Sequence, residues 1–271
     1  MAALLRALRA CGASRSGPAL GLAAAAAATF GHAPAALAED AAAAPAQPRL
    51  ATGWDRGMAM PARVAALQTL VLDLAKVPEA RGAFPVLANL LEMLWADIVA
   101  ADLPLRGKEQ MLHRLSNTYA YGTLTASGLE RLAVQLAGLG VGSVLDPLAH
   151  TGFHARLLAA RGLEVEAADS HPAATCWGEV KERAAEHTPW GQYRQGWALF
   201  LSWLPYWSEV GYDALRSFEG DAVIVLGDQG DWTGTDSFRE ELRSRWLLVG
   251  SWQTETPWPR VEERLELFVR R

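Results

Sequence analysis

The sequence predicts an α/β fold, in which helices come first and a mostly parallel sheet ends in an antiparallel pair of strands. Three observations predict it. Apolar residues recur at helical spacing through much of residues 61–137, and Ser143–Pro172 reads as strand, loop, helix and strand. Short apolar runs typical of buried strands then recur at residues 197–203, 221–227, 246–252 and 264–269.

The first 38 residues are typical of an organelle-targeting leader. They contain Arg6, Arg9 and Arg15 and no acidic residue, and Ala36-Leu37-Ala38 resembles a small-residue cleavage site. We therefore expect a transit peptide for the mitochondrion, with the chloroplast as the alternative. The alanine-rich run within the leader is too weakly apolar for a stable membrane span.

A flexible Ala/Pro linker is expected over residues 39–53, because this composition buries little apolar surface. A helical region is expected over residues 54–124, with helices near 61–75, 84–101 and 107–118. Thr125 is positioned to cap a further helix that reaches Ala137 and opens the main domain, residues 125–271.

Composition and charge narrow the classes of partner. The formal net charge is -5, and loss of the three leader arginines would lower it to about -8. A domain this acidic has no general attraction for nucleic acid or anionic membranes. Cys11 and Cys176 are the only cysteines, so a mature chain without the leader has no internal disulfide. Cys176 is interpreted as a small buried hydrophobe rather than a reactive thiol.

The stretch Ser143–Pro172 carries the strongest functional signal. Val144 and Leu145 begin a strand, a turn-rich loop runs from Asp146 to Gly152, Phe153–Arg161 has helical spacing, and a second strand ends at Asp169. In such a βαβ half-unit, the loop after the first strand and the acid after the second meet at one crevice, where the acid can accept hydrogen bonds from a ribose. We therefore expect a nucleotide-like ligand there.

The rest of the chain completes the sheet. Glu179–His187 is predicted to be helical, Trp197–Trp203 and Asp221–Gly227 to be buried parallel strands, and the helix after them to be capped by Asp236. Two strands, Trp246–Trp252 and Arg264–Val269, are predicted to form an antiparallel hairpin at the edge of the sheet.

Taken together, this layout resembles the class I S-adenosylmethionine-dependent methyltransferase fold, which is Rossmann-like with a late reversed strand. Three motifs carry the resemblance: Asp146-Pro147-Leu148-Ala149-His150-Thr151-Gly152, then Asp169, then Trp203-Leu204-Pro205-Tyr206. The segments FLSWLPYW and VIVLGDQGDWTGTDSF are also similar to a poorly characterised methyltransferase-like family of microbes, fungi and algae.

The resemblance implies a cofactor, S-adenosylmethionine, and roles for individual residues. Asp146 would orient the loop or the cofactor amine, the backbone of Ala149, His150, Thr151 and Gly152 would approach the methionine moiety, and Asp169 would hold the ribose. The methyl acceptor would be a small molecule or a protein. Tyr206 is the substrate-side candidate, while Asp228 and Asp231 follow a strand and can act as a base or simply form a turn.

Two departures from the family pattern keep a second function open. His150 stands where the motif often has glycine, and a non-glycine residue at positive φ costs about 1 to 2 kcal/mol. Trp203 replaces the acid or amide that precedes Leu204-Pro205-Tyr206. The alternative is therefore a catalytically inactive structural or binding subunit of an organellar complex, with an organellar protein as its partner.

The sequence gives less support to two other interpretations, a metal site and a dinucleotide oxidoreductase. His150, His154 and His171 could converge on a metal, but no carboxylate or thiol stands at a supporting spacing, so no metal is expected. A dinucleotide oxidoreductase is disfavoured because the loop lacks the full G-x-G-x-x-G spacing. Among the tryptophans, Trp246 and Trp252 are expected to be structural, whereas Trp203, Trp207 and Trp232 follow strand ends, where ligands bind.

Overall fold

The computed structural model of the protein describes residues 59–65, 84–122, 124, 126–173, 177–230, 232–254, 258 and 261–271. All of them belong to one compact unit, Ala59–Arg271. Of the helix expected near 61–75, residues 61–65 are helical and the rest lies outside the described residues. The leader and the linker expected over residues 1–53, and Thr125, Cys176 and Asp231, also lie outside them.

A seven-stranded sheet forms the centre of the described structure, and the expected α/β fold is confirmed. The strands are β1 (Ser143–Asp146), β2 (Glu164–Asp169), β3 (Lys181–Glu182), β4 (Trp197–Ser202), β5 (Ala222–Asp228), β6 (Trp246–Gln253) and β7 (Glu263–Arg270). They lie in the order β3-β2-β1-β4-β5-β7-β6. The first five are parallel, and β7 is antiparallel to both β5 and β6.

The central strands are buried on both faces, as their continuous apolar sequences predict. The four interior residues of β4 are buried, and six of the seven residues of β5 are buried. Because side chains alternate along a strand, Leu199 and Leu201 share one core cluster with Phe218 and Trp246, while Phe200 contacts His154 on the opposite face.

Six α-helices and two short 3₁₀ helices surround the sheet or precede it within the described residues, besides a short helical segment at residues 60–65. The α-helices are α1 (Phe84–Ala100), α2 (Leu105–Thr118), α3 (Ala126–Gly138), α4 (Phe153–Ala159), α5 (Val210–Ser217) and α6 (Asp236–Arg245), and the 3₁₀ helices are Ala185–His187 and Trp190–Gln192. None of the described helices has the length and apolar character needed to cross a membrane.

The early helices pack directly on the sheet domain. Trp95 of α1 and His113 of α2 both contact the indole of Trp258, at centroid distances of 5.3 and 4.8 Å. Tyr119, just after α2, packs edge-on against Phe153 at 5.1 Å. The helical layer therefore shares its core with the sheet and lies next to the loop that follows β1.

The helix predicted over Glu179–His187 is wrong. Residues 181–182 instead form β3, paired in parallel with β2, and a 3₁₀ turn follows at Ala185–His187. Lys181 and Arg183 each form an ion pair with Glu166 of β2, at 3.1 and 2.8 Å. The segment has good helix formers but no apolar face, so pairing with the neighbouring strand outweighs its helix propensity.

A smaller difference concerns the start of α6. The cap is Thr235, whose hydroxyl oxygen accepts a hydrogen bond from the N–H of Phe238 at 3.3 Å, and not Asp236. Asp236 is the first residue of the helix and forms an ion pair with Arg239. An acid at this position still interacts favourably with the positive end of the helix.

Candidate functional site

Four acidic side chains lie along one edge of the sheet. Asp169 ends β2, Asp146 ends β1 and Asp228 ends β5, while Glu263 begins the reversed strand β7 and therefore lies opposite Asp228 at the same edge. This is the edge at which ligands bind in open parallel sheets. The sheet therefore brings three sequence-predicted acids and one further acid to one side of the molecule.

Asp169 holds two loops together. One carboxylate oxygen accepts the N–H of His150 at 2.8 Å, and the other accepts the N–H of His171 at 2.8 Å. The side chain is partly exposed, and each oxygen keeps a further lone pair. Asp169 can therefore fix the loop after β1 and still accept hydrogen bonds from a ligand.

Asp146 is buried and only weakly hydrogen bonded. Its side chain is 3% exposed, and its contact with the N–H of Leu148 is long, at 3.4 Å. Burial raises the pKa of Asp146 from 3.8 to about 8; the N–H of Leu148 lowers it, and the negative charge of Asp169 raises it further. A buried carboxyl group with so little compensation is suited to a ligand that brings a positive charge.

The loop between Asp146 and α4 contains two residues at positive φ. His150 has φ 48° and Gly152 has φ 70°. The strain expected at His150 is thus present, and its N–H bond to Asp169 holds the residue in this conformation. A Cβ atom on Gly152 would lie 2.6 Å from a methyl group of Val180, so Val180 occupies the space beside this glycine.

Residues 119–122 cross above the ends of β1 and β4. The hydroxyl of Thr151 donates to the carbonyl of Tyr119, and the hydroxyl of Ser202, at the end of β4, donates to the carbonyl of Tyr121 at 2.9 Å. The Nε2 atom of His154 lies 3.2 Å from the carbonyl of Gly122. This crossing segment, residues 119–122, covers the crevice from the side of the helical layer.

His154 is neutral in this position. Burial lowers its pKa from 6.5 to about 4, and the hydrogen bond with Gly122 acts weakly in the opposite direction. Because a carbonyl only accepts, Nε2 carries the proton and donates it. Within the described ranges, no group of three or more His, Cys, Asp and Glu side chains is arranged to hold a metal ion.

Glu263 is the site residue that sequence reasoning missed. Its side chain is fully buried, and one carboxylate oxygen accepts the indole N–H of Trp203 at 2.7 Å. Trp203 has φ 45°, which ends β4, and its ring lies so close to Gly122 that a Cβ atom there would be 2.7 Å from it. The alternation of Glu263, Leu265 and Leu267 was the available signal, since it places Glu263 on the buried face.

The two catalytic candidates lie near each other but outside the crevice proper. Tyr206 is 47% exposed, and its ring lies 5.8 Å from that of Trp232. The N–H of Trp232 donates to Asp228 at 3.4 Å, and the N–H of Asp228 donates to the hydroxyl of Thr233 at 2.9 Å. Since β1 and β5 are separated only by β4, this pair lies roughly 10 Å along the edge from Asp146.

The residues at β1 and β2 suit S-adenosylmethionine in one respect. That molecule carries a sulfonium and an ammonium group, and Asp146 is a buried carboxyl group whose raised pKa a positive charge would lower. Asp169 keeps acceptor capacity for a ribose. Close approach at Gly152, by contrast, is limited by Val180.

Comparison with known proteins gives similarities of fold. No protein-family model matches the sequence, and no curated protein matches it. Among solved structures, the chain is similar to the 1,6-didemethyltoxoflavin-N1-methyltransferase of Burkholderia thailandensis, with 17% identity and a TM-score of 0.39 over 52% of this chain and 77% of that one.

Two further solved structures are similar to the same extent. One is an N-methyltransferase of Bradyrhizobium japonicum, with 12% identity and a TM-score of 0.38 over 54% of this chain and 98% of that one. The other is an S-adenosylmethionine-dependent O-methyltransferase of Thermotoga maritima, with 12% identity and a TM-score of 0.38 over 55% of this chain and 66% of that one.

The resemblance implied a parallel sheet with a late reversed strand, and the strands β1 to β5 are indeed parallel while β7 is reversed. The described part of the chain therefore has a Rossmann-like fold with a late reversed strand, as expected from the resemblance to class I S-adenosylmethionine-dependent methyltransferases.

Proposed function

We propose that this protein binds S-adenosylmethionine at the Asp146 and Asp169 edge and transfers its methyl group to a small molecule or a protein in an organelle. One observation carries the proposal: two carboxyl groups end the adjacent parallel strands β1 and β2, and one of them is buried without a compensating cation among the described residues. Asp146 would hold the cofactor amine and Asp169 the ribose hydroxyls.

The chemistry asks little of the protein. The bound cofactor supplies a methyl group on a positively charged sulfur, which is already activated for displacement. The chain's own residues would align the acceptor and keep water away. The crossing segment at residues 119–122 and the indole of Trp203 cover the crevice, Tyr206 would orient the acceptor, and Asp228 would take its proton.

An organelle is proposed from the leader. The basic, acid-free composition of residues 1–38 supports import into the mitochondrion, and the chloroplast is the alternative. Fusion of residues 1–58 to a fluorescent protein, followed by microscopy with markers for both organelles, tests this part. Diffuse cytosolic fluorescence would contradict it.

Two observations favour a second function. Val180 fills the space beside Gly152, and the crossing segment is bonded to both sides of the crevice through Thr151 and Ser202. A crevice filled by the protein itself suits a binding or structural subunit of an organellar complex, which keeps the fold without catalysis.

Calorimetric titration of S-adenosylmethionine into the full chain separates the two. Binding near micromolar affinity, about -8.2 kcal/mol, supports the first function. Asp169→Ala should weaken it at least about tenfold, because the ribose loses its acceptor. Asp169→Asn keeps one carbonyl oxygen for the loops and should weaken binding less.

The matched control is Asp102→Ala, an exposed acid between α1 and α2, which should leave binding unchanged. Circular dichroism of each variant checks that the loops still fold, since Asp169 also bonds His150 and His171. If the folded wild-type chain gives no binding heat at millimolar cofactor, the methyltransferase proposal is refuted and the binding or structural subunit is favoured.

A further inference from the structure

Three aromatic side chains form an exposed surface at the same edge of the sheet. Tyr206 and Trp207 lie on the loop after β4, and Trp232 lies on the loop after β5. Their exposed fractions are 47%, 74% and 60%. We call Tyr206, Trp207 and Trp232 the aromatic cluster. Adjacent large aromatic side chains left in water at a ligand-binding edge are typical of a recognition surface.

The rings of the aromatic cluster stand at right angles. The Tyr206 and Trp207 centroids are 4.8 Å apart with an interplanar angle of 87°, and those of Tyr206 and Trp232 are 5.8 Å apart at 83°. Perpendicular rings offer both faces and edges around a small volume. Because an aromatic face carries partial negative charge, a cation within about 6 Å of a ring centroid is attracted to it.

The charges around the cluster have the same sign as the ring faces. Asp228 accepts the N–H of Trp232, and Glu209, two residues after Trp207, accepts the hydroxyls of Thr235 and Ser237 at 2.9 and 3.5 Å. Neither carboxylate forms an ion pair with any residue in the described part of the chain.

The arginine that contacts the loop of Trp232 is already engaged. Arg239 donates to the carbonyls of Gly230, Thr233 and Gly234 and forms an ion pair with Asp236. The surface around the aromatic cluster is therefore electronegative, and a phosphate group or an anionic lipid headgroup would be repelled from it.

We propose that the aromatic cluster, flanked by Asp228 and Glu209, is a binding site for an organic ammonium group, and that it receives the cationic end of the methyl acceptor. The assignment to the acceptor rests on the proposed methyltransferase function. The ammonium site itself does not, because it is built from side chains that the cofactor crevice does not use.

A matched pair of probes tests the site in the full chain. Choline carries a trimethylammonium group, and 3,3-dimethylbutan-1-ol has the same shape without the charge. Binding is followed by the shifts of tryptophan indole N–H signals in nuclear magnetic resonance spectra. Choline should move the Trp207 and Trp232 signals and bind about fivefold to tenfold more tightly than the neutral alcohol, as a cation held by aromatic faces would.

Variants locate the effect. Trp207→Ala and Trp232→Ala should each weaken choline binding about fivefold, and Asp228→Asn should weaken it less, through the lost charge. The matched control, Val134→Ala, removes an aliphatic side chain that is 61% exposed on α3 and should change nothing. All four side chains are exposed or partly exposed, and circular dichroism confirms that each variant folds.

Equal binding of choline and the neutral alcohol would overturn the proposal and make the surface merely apolar. Absence of any choline-dependent shift up to its solubility limit would overturn it as well. Sedimentation with phosphatidylglycerol vesicles that Trp207→Ala abolishes would replace it with a membrane-contact surface. Choline binding without S-adenosylmethionine binding would keep the ammonium site and refute methyl transfer, so the two proposals fail separately.

Discussion

Replacing Asp146 with asparagine should make the ligand-free protein more stable. The carboxyl group is buried, and its pKa is raised from 3.8 to about 8. Because its pKa is higher in the folded state, the folded protein binds this proton more tightly than the unfolded chain does. The free energy of unfolding therefore falls as pH rises from about 4 towards 8. Asparagine imitates the protonated form at every pH, and its carbonyl can still accept from the N–H of Leu148.

The size of the effect follows from the shift. One pKa unit corresponds to about 1.4 kcal/mol, so the gain should be near zero around pH 4 and on the order of 5 kcal/mol around pH 8. Urea denaturation of both proteins at several pH values measures it. The pH dependence that His154 contributes is common to both proteins and cancels in the difference.

The same substitution should weaken cofactor binding while it stabilises the fold. Asp146→Asn is expected to weaken S-adenosylmethionine binding at least about tenfold, because the buried negative charge is lost. Asp102→Asn, on the surface, should change stability by less than about 1 kcal/mol at either pH. An Asp146→Asn variant no more stable than the wild type near pH 8 would refute the reasoning, since Asp146 would then have a stabilising partner.

Three further predictions concern the neighbouring residues. Gly152→Ala should lower the free energy of unfolding by about 2 to 3 kcal/mol, because residue 152 has positive φ and the added Cβ would contact Val180. Adding Val180→Ala should recover about half of this loss in a double-mutant cycle, and strictly additive losses would contradict the explanation. Trp203→Phe should lower the free energy of unfolding, measured by urea denaturation, by about 1 to 3 kcal/mol, because the buried carboxylate of Glu263 loses the indole donor. Adding Glu263→Gln should restore part of this loss, and no recovery would mean that the loss comes from packing instead. Since burial lowers the pKa of His154 to about 4, the free energy of unfolding should fall by about 3 kcal/mol as pH falls from 6.5 towards 4. His154→Gln should reduce this pH dependence in thermal melts, and an unchanged pH dependence would exclude His154 as its cause.

The strands of the sheet were predictable because their sequences leave few alternatives. Buried runs such as Trp197–Ser202 and Ala222–Asp228 are too short for typical helices and too apolar for loops. The segment Glu179–His187 was mispredicted for the opposite reason. Its local preference is helical, whereas the parallel pairing with β2 and the ion pairs of Lys181 and Arg183 with Glu166 depend on residues earlier in the chain.

The candidate site was predictable where it depends on local spacing. Asp146 and Asp169 end strands that the sequence itself marks, so their convergence on one edge follows from parallel pairing. What covers the crevice depends on distant contacts. The bond from Thr151 to Tyr119 and the packing of Val180 on Gly152 join segments that no periodicity connects, and Glu263 approaches Trp203 only through the reversal of β7.

The position of β7 also bears on the order in which the sheet can be completed. It follows β6 along the chain, yet it lies between β5 and β6. Until Glu263–Arg270 has been synthesised, one edge of the almost wholly buried strand β5 has no partner, and such an apolar edge is prone to pair with other chains. Removal of Glu263–Arg270 would therefore open the interior of the sheet instead of trimming its margin.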